Sequence, residues 1–519
     1  MSNASNTPFY ITTAISYPNG KPHIGHAYEA IATDAIARFR KSEGRDVRFQ
    51  TGTDEHGLKM AQTARDKGVT PLELATEMSS HFKDMVDALN VDYDRFIRTS
   101  EEDHYRASQA IWEAMEANGD LYLGRYEGWY SVRDEAFYDE KEITSAEDGT
   151  KLSPQGTPVE WTVEESWFFK LSKYQQPLLD LYANQTDFIQ PDSRRNEVIR
   201  FVEGGLSDLS ISRTSFDWGV PVPNSAGHVM YVWVDALTNY ITGLGYPDSA
   251  EMLRHYWSKD SDVVHIIGKD IVRFHTVYWP AFLMSANLPL PRQIFGHGFL
   301  LNRGEKMSKS LGNVSDPLEL ADRYGVDQIR YFLLREVSFG QDGSYSDEAI
   351  VTRCNADLAN NLGNLAQRSL SMIAKNCDGK IPPKGEAGPA EDELLSDLQS
   401  AYSEAVNAMK SLQIHTALEA IWRGASAANQ YFADQAPWTL RKENPTRADT
   451  VLYFTAEAVR QLAIMARFVI PTGADKLLDL LAQGPDNRNF DALNDAIAEG
   501  LALPAPSGVF PRLEMPKEA

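Results

Sequence analysis

The sequence predicts an α/β protein in three parts: a parallel-sheet domain, a small domain inserted into it, and a helical bundle at the end. Three observations lead there. Apolar strand-like runs bracket a helical run at the start of the chain. Similar strand-like runs return only far along it. From about Val351 onward the apolar residues fall close to helical spacing.

The first strand is the run Phe9 to Ile15, followed by a Pro-Asn-Gly loop and an Ala-rich helical stretch from Gly25 to Lys41. A second β-like run, Val47 to Gln50, follows at once. Strand, helix, strand in this order implies a parallel, Rossmann-like sheet, which binds ligands at the carboxyl ends of its strands. Val263 to Ile267 and Ile294 to Leu301 read as further strands of that sheet, so something interrupts it. Between Asn118 and Pro221 the texture changes to short aromatic pieces and polar turns, with Trp129, Tyr130, Phe137, Tyr138, Trp167 and Phe168. The expected boundaries are 1–117 and 222–300 for the two halves of the sheet domain, 118–221 for the insertion, 301–350 for a loop and stem-contact region, and 351–519 for the helical domain. In the helical domain Leu358, Leu362, Leu365 and Ile373 share a face, and Pro382, Pro383, Gly385, Gly388 and Pro389 separate one helix from the next.

Composition narrows the class. A chain of 519 residues exceeds what one core organises, and 43% hydrophobic with 24% charged residues is ordinary for a soluble globular protein. The two cysteines, Cys354 and Cys377, form no CxxC pair, so neither a disulfide framework nor a thiolate zinc cluster has ligands, and a reducing cytoplasm is expected. No apolar run reaches the roughly 18 residues of a membrane span. The net charge of −23 argues against nonspecific nucleic-acid binding, while leaving room for a local basic track.

Two short segments carry the chemistry. Pro22-His23-Ile24-Gly25-His26 lies between the first strand and the first helix, where backbone N–H groups and the helix dipole favour phosphate. His23 and His26 can donate to triphosphate oxygens, and Gly25 gives a nucleotide close access to the backbone. With 11 His and 34 Gly in the chain, His-x-Gly-His is expected by chance about 0.015 times. Alone, it also reads as two surface histidines capping a helix. The second segment, Lys306-Met307-Ser308-Lys309-Ser310, follows an apolar strand. Its two ammonium groups could neutralise charge growing on a leaving pyrophosphate, or they could sit on a plain solvated loop. Both segments in this order, each after a strand, favour the functional reading.

The pair resembles the HIGH and KMSKS signatures of the class I aminoacyl-tRNA synthetases, and the resemblance spans nearly the whole chain. Further segments resemble the methionyl family within that class: Ala14-Ile15-Ser16-Tyr17, Thr53-Asp54-Glu55-His56-Gly57, Tyr231-Val232-Trp233-Val234-Asp235-Ala236, and Gly268-Lys269-Asp270-Ile271-Val272-Arg273-Phe274-His275. The resemblance implies a ligase that uses ATP with Mg2+ to activate L-methionine and passes it to tRNA(Met), elongator and initiator. His23, His26, Lys306 and Lys309 would be catalytic. Gly25, Gly268, Asp270 and Ser308 would join them around ATP, Asp270 accepting from ribose hydroxyls. Asp54 would pair with the substrate ammonium, and Ala14, Ile15, Tyr17, Trp233, Ala236, Tyr240, Ile271, Phe274 and His275 would line a thioether pocket. Asn364 and Arg368, one helical turn apart, and Trp438 would read the anticodon, by edge hydrogen bonds and stacking. Taken singly, without the resemblance, each aromatic reads as plain core before it reads as a pocket wall.

One departure from the family is informative. Many relatives carry a zinc knuckle in the insertion, where this chain has Ser131-Val132-Arg133-Asp134 and Ser153-Pro154-Gln155-Gly156. Without thiolates there, no zinc and no other bound metal is expected, as in the short, zinc-free bacterial and mitochondrial-like branch. The chain ends after the bundle, so a monomer is expected. Two rival readings are a class I synthetase for another apolar amino acid, and a catalytically inactive tRNA-binding scaffold.

Overall fold

The computed structural model describes residues 7–132, 136–306 and 315–516. Its strands include β1 (Phe9–Thr13), β2 (Val47–Thr53), β3 (Arg95–Arg98), β4 (Leu121–Ser131), β5 (Glu160–Phe169), β6 (Ile189–Gln190), β7 (Asp262–Gly268) and β8 (Gln293–His297). The central sheet runs β3-β2-β1-β7-β8-β6 with every neighbouring pair parallel. Every residue of β1 is buried, as a parallel strand covered by helices on both faces requires. Phe9 is in register with Val47 on one side and Asp262 on the other. The direction of winding therefore reverses between β1 and β7, and a crevice opens at their carboxyl ends.

Helices α1 (Ile24–Ser42), α2 (Glu102–Ala117) and α3 (Val232–Thr242) flank that crevice or stand behind it. Helix α1 begins at His23 and ends with Arg40 and Lys41 in its last turn, where cations meet the negative end of the helix dipole. Among the described residues no helix is long and apolar enough to cross a membrane.

The segment 118–221 is less separate than its texture implies. Strands β4 and β5 form a long antiparallel ribbon, in register from Leu121 opposite Phe169 to Tyr130 opposite Glu160. The chain then returns to the central sheet, where β6 pairs with β8 through Ile189 opposite Ile294. Tyr182 seals this return by donating to the Thr276 carbonyl at 2.7 Å. A strand of two residues carries no periodicity, so nothing in the sequence marks it.

After helix α4 (Val326–Glu336), a wide-turned segment, Asn355–Gly363, leads into α5 (Asn364–Asn376). Long helices Pro389–Lys410, Ile414–Gln435 and Pro445–Ala466 complete the bundle. The helical pattern stops earlier than expected: beyond Leu480 the described residues form only short 3-10 turns and extended chain. This tail, with Pro504, Pro506 and Pro511, doubles back. Asn355 bonds Leu513 in both directions, at 2.9 and 2.7 Å. The Phe510 ring lies where a Cβ on Gly473 would come within 2.4 Å of it.

Arg330 on α4 joins the sheet domain to the bundle. Its fully buried guanidinium donates to Asp34 of α1 at 2.5 Å, to the Val469 carbonyl at 2.9 Å and to the Leu89 carbonyl at 3.2 Å. Asp34 also accepts from Arg38 and from the Asp92 backbone. Removing one partner of a buried pair strands the other charge and costs about 3–5 kcal/mol. Arg330→Leu is expected to lower the unfolding free energy by that order in urea titration. Lys83→Ala, which breaks an exposed pair with Asp87, should barely move the midpoint.

Candidate functional site

A cavity of about 490 Å³ occupies the crevice at the ends of β1 and β7. At one end stand His23, Gly25 and His26. The Gly25 backbone N–H donates to His23 Nδ1 at 3.0 Å, and the His23 backbone N–H donates to His26 Nδ1 at 3.1 Å. Each Nδ1 is thus an acceptor, so when neutral each imidazole carries its proton on Nε2. The capping bonds select the tautomer that offers a donor. The ring centroids lie 3.9 Å apart. Gly25 lines the cavity, but its lack of a side chain serves the histidines first: a Cβ there would sit 2.8 Å from the His23 ring. This is a second demand on the position, beside the expected access of a nucleotide to the backbone.

On the β7 side Gly268 and Asp270 line the same cavity, and a Cβ on Gly268 would meet Asp270 Oδ1 at 2.6 Å. Of the second motif, Lys306 lies in a two-residue strand paired with Leu300–Asn302, while Ser308 and Lys309 fall outside the described residues. Ser315, just beyond them, accepts from the Ile24 backbone N–H at 3.2 Å. Where the described chain resumes, at Ser315, it therefore lies against the start of α1.

The other end of the cavity is apolar and aromatic. Ala14, Ile15, Tyr17, Asp54, Trp233, Ala236, Tyr240, Ile271 and His275 line it. Phe274 does not line it but stacks on Trp233, centroids 3.7 Å apart and planes within 7°. His275 donates from Nδ1 to the Ile271 carbonyl at 2.9 Å, so its Nε2 accepts the Tyr240 hydroxyl at 2.6 Å. Burial pushes the His275 imidazole down to about 4, so it is neutral near pH 7 and Tyr240 is oriented as a donor.

Several lining residues escaped sequence reading. Glu29 lies one helical turn after His26, and His297 sits at the end of β8; they pair at 2.8 Å in the cavity wall. Burial lifts the Glu29 carboxyl above its ordinary value, with His297 opposing. For His297 burial works downward, but Glu29 and the Gly298 carbonyl outweigh it and raise the imidazole. The i,i+3 spacing from His26 was the only available signal for Glu29, and His297 had none. Ser16, Tyr28, Leu237 and Asn239 are among the others in this group.

In the bundle, Asn364 and Arg368 are exposed on α5. The Arg368 guanidinium lies 5.2 Å from the centre of the Trp438 ring and 5.0 Å from that of Phe432, which sequence reading missed. Trp438 is 44% exposed. Ala436, at φ 43°, turns the preceding helix into Pro437–Glu443 and so presents it.

The described residues at the knuckle positions offer no thiolate or imidazole to a metal. Thr157 Oγ1 lies 2.7 Å from both Ser131 Oγ and Ser153 Oγ, all three buried. Hydroxyl bonds thus hold the turn together; Gly156 offers no donor atom, and Arg133 and Asp134 lie outside the described residues. Among the described residues no group of three or more His, Cys, Asp and Glu side chains could hold a metal ion.

Paired histidines at a helix start, facing a crevice at the switch point of a parallel sheet, are the arrangement expected of the class I aminoacyl-tRNA synthetases. Residues 9–370 match the family described as tRNA synthetases class I (M), and residues 381–518 match the anticodon binding domain of methionyl tRNA ligase. The chain is 62% identical over 509 residues to a methionine–tRNA ligase of Brucella suis, covering 98% of each. It is 58% identical over 516 residues to one of Mycobacterium tuberculosis, covering 98% of this chain and 99% of that one. A structure of the Mycobacterium tuberculosis methionyl-tRNA synthetase in complex with methionyl-adenylate superposes with a TM-score of 0.95 at 58% identity, over 98% of this chain and 100% of that one. The chain belongs to the methionyl-tRNA synthetase family.

His275 makes stability pH-dependent. Its folded value, about 4, lies below the ordinary 6.5, so between those values the unfolded chain binds the extra proton. Stability is fully present above pH 6.5 and is lost as pH falls toward 4, by about 3 kcal/mol. His275→Gln is expected to flatten that part of the urea-midpoint profile. An unchanged slope would show that His275 does not set it.

Proposed function

We propose that this chain activates L-methionine with ATP and transfers it to tRNA(Met), both elongator and initiator, acting as a monomer in the cytoplasm with Mg2+ as the ion carried by ATP and without bound zinc. The observation that carries the reading is one cavity with two ends. The capped histidines offer Nε2 donors at one, and Asp54 with the Trp233, Tyr240 and His275 wall lies at the other.

In the first step a methionine carboxylate oxygen attacks the α-phosphorus in line, and the bond to the pyrophosphate oxygen breaks. Asp54 holds the ammonium, and His23, His26, Lys306 and Lys309 stabilise charge on the phosphates, with Ser308 and the Gly268–Asp270 turn around the nucleotide. In the second step a ribose hydroxyl at the 3′ end of the tRNA attacks the carbonyl carbon, and AMP leaves. No protein atom is covalently modified; catalysis is positioning and electrostatic. The thioether is held by shape and by sulfur–aromatic contacts.

Methionine-dependent ATP–pyrophosphate exchange tests this directly. Exchange with isoleucine or leucine but not methionine would point to the rival specificity, and none with any amino acid to the scaffold. The family membership favours neither rival. Stacking on an aromatic ring contributes about 1–3 kcal/mol per base. Trp438→Ala should therefore cut tRNA charging roughly 10- to 100-fold while leaving exchange unchanged; equal loss of both would remove Trp438 from the anticodon set. Elemental analysis of the purified protein should find no stoichiometric zinc, and one equivalent would overturn the metal-free knuckle.

A further inference from the structure

Behind the cavity lies a polar cluster that none of the roles above uses. Asp235 is fully buried on α3 and does not line the cavity. Its Oδ2 lies 2.6 Å from His56 Nδ1 and its Oδ1 lies 2.7 Å from His104 Nε2. Both imidazoles are buried too. His56 Nε2 meets the Tyr105 hydroxyl at 3.0 Å, and His104 Nδ1 meets Thr242 Oγ1 at 3.1 Å. Burial alone would raise the Asp235 carboxyl, but the two histidines outweigh it and bring it down to about 2. The carboxylate is thus an anion with an imidazole on each oxygen.

The three members sit on three different pieces of chain. His56 is two residues beyond Asp54, on the loop leaving β2; Asp235 is on the helix that carries Trp233, Ala236 and Tyr240; His104 is on α2, behind both. The loop is tied on its far side as well. Trp218 Nε1 donates to the Glu55 carbonyl at 2.6 Å, the Trp218 ring packs edge-on against His56, and Arg98 bonds the Glu55 carboxylate. On the reading given above, Asp54 takes the substrate ammonium and α3 takes its side chain. The distance between those contacts must match the length of one amino acid, yet β2 and α3 belong to different halves of the sheet domain.

We propose that the His56–Asp235–His104 cluster is a set of positioning residues that fixes the spacing between Asp54 and the pocket helix α3, and so selects amino acids by length. This rests on the proposed methionine activation. A packed apolar substitute would fill the same volume, whereas two charge-assisted bonds of fixed direction constrain the loop and the helix relative to a third element. None of the three lines the cavity, and the pieces they join are the Asp54 loop and α3, so loosening the cluster affects the amino acid and spares the nucleotide.

The test is methionine-dependent ATP–pyrophosphate exchange on the full chain, with thermal midpoints measured in parallel, for wild type, Asp235→Asn, His104→Ala and His104→Gln. Losing a hydrogen bond to a charged group is expected to raise the methionine KM about 10-fold or more in Asp235→Asn and His104→Ala, with the ATP KM within about twofold of wild type. His104→Gln, whose side-chain N–H reaches the place of His104 Nε2, should recover most of the loss. Should Asp235→Asn fail to fold, the two His104 variants decide alone. An unchanged methionine KM in folded variants, methionine and ATP KM rising together, or no recovery with glutamine would each overturn the proposal. Absence of exchange in the wild type would instead sink the functional reading itself.

Discussion

Strand β1 is bonded on both edges and covered on both faces, and the rest of the molecule is arranged around that constraint. Because β2 lies to one side and β7 to the other, the loops leaving β1 and β7 diverge, and the space between them cannot be filled by a crossover helix. What fills it instead is the start of α1 from one side and α3 from the other. The cavity is thus a product of topology before any side chain is specified, and the side chains decide only what it accepts.

A second demand follows from the chain's length. The bundle must be held to the sheet domain without blocking the cavity, and Arg330 does this from behind, through Asp34 in the middle of α1 and carbonyls at Leu89 and Val469. The same helix starts with the paired histidines and is anchored halfway along by this junction. A buried ion pair is weak evidence of net stability, but it imposes one geometry, and here that geometry orients the helix on which both histidines depend.

The sequence made the sheet, the helical face and both motifs legible because each depends on local pattern: a run of apolar residues, a 3.6-residue spacing, a histidine before a helix. It hid what depends on distant partners. Strand β6 is too short to show a period, and the tail past Leu480 is ordered by Phe510 and Asn355, whose roles appear only once Gly473 and Leu513 are nearby. In the site the difference is the same. Asp54, Trp233 and His275 stand in segments that resemble a known family, whereas Glu29 and His297 are paired across 268 residues, and the helical and strand-like runs that hold them give no sign of the pairing. At Gly25 the sequence shows that a side chain is missing but not the His23 ring that a Cβ would meet.

The contact between Arg368 and Trp438 bears on how the bundle would meet RNA. In the free protein the guanidinium already lies against the indole at 5.2 Å. A flat, cationic group thus already lies over the ring, which also packs edge-on against Phe432. An exposed cation–π contact contributes only about 0.5–1 kcal/mol, less than a well-stacked base. A nucleotide that stacks fully can displace the arginine, and the freed charge is then available to a neighbouring phosphate or base edge. A ligand that merely brushes the surface gains too little to do so. On the anticodon reading proposed above, a base that stacks on Trp438 would first have to displace Arg368, and its affinity would be lower by the worth of that contact.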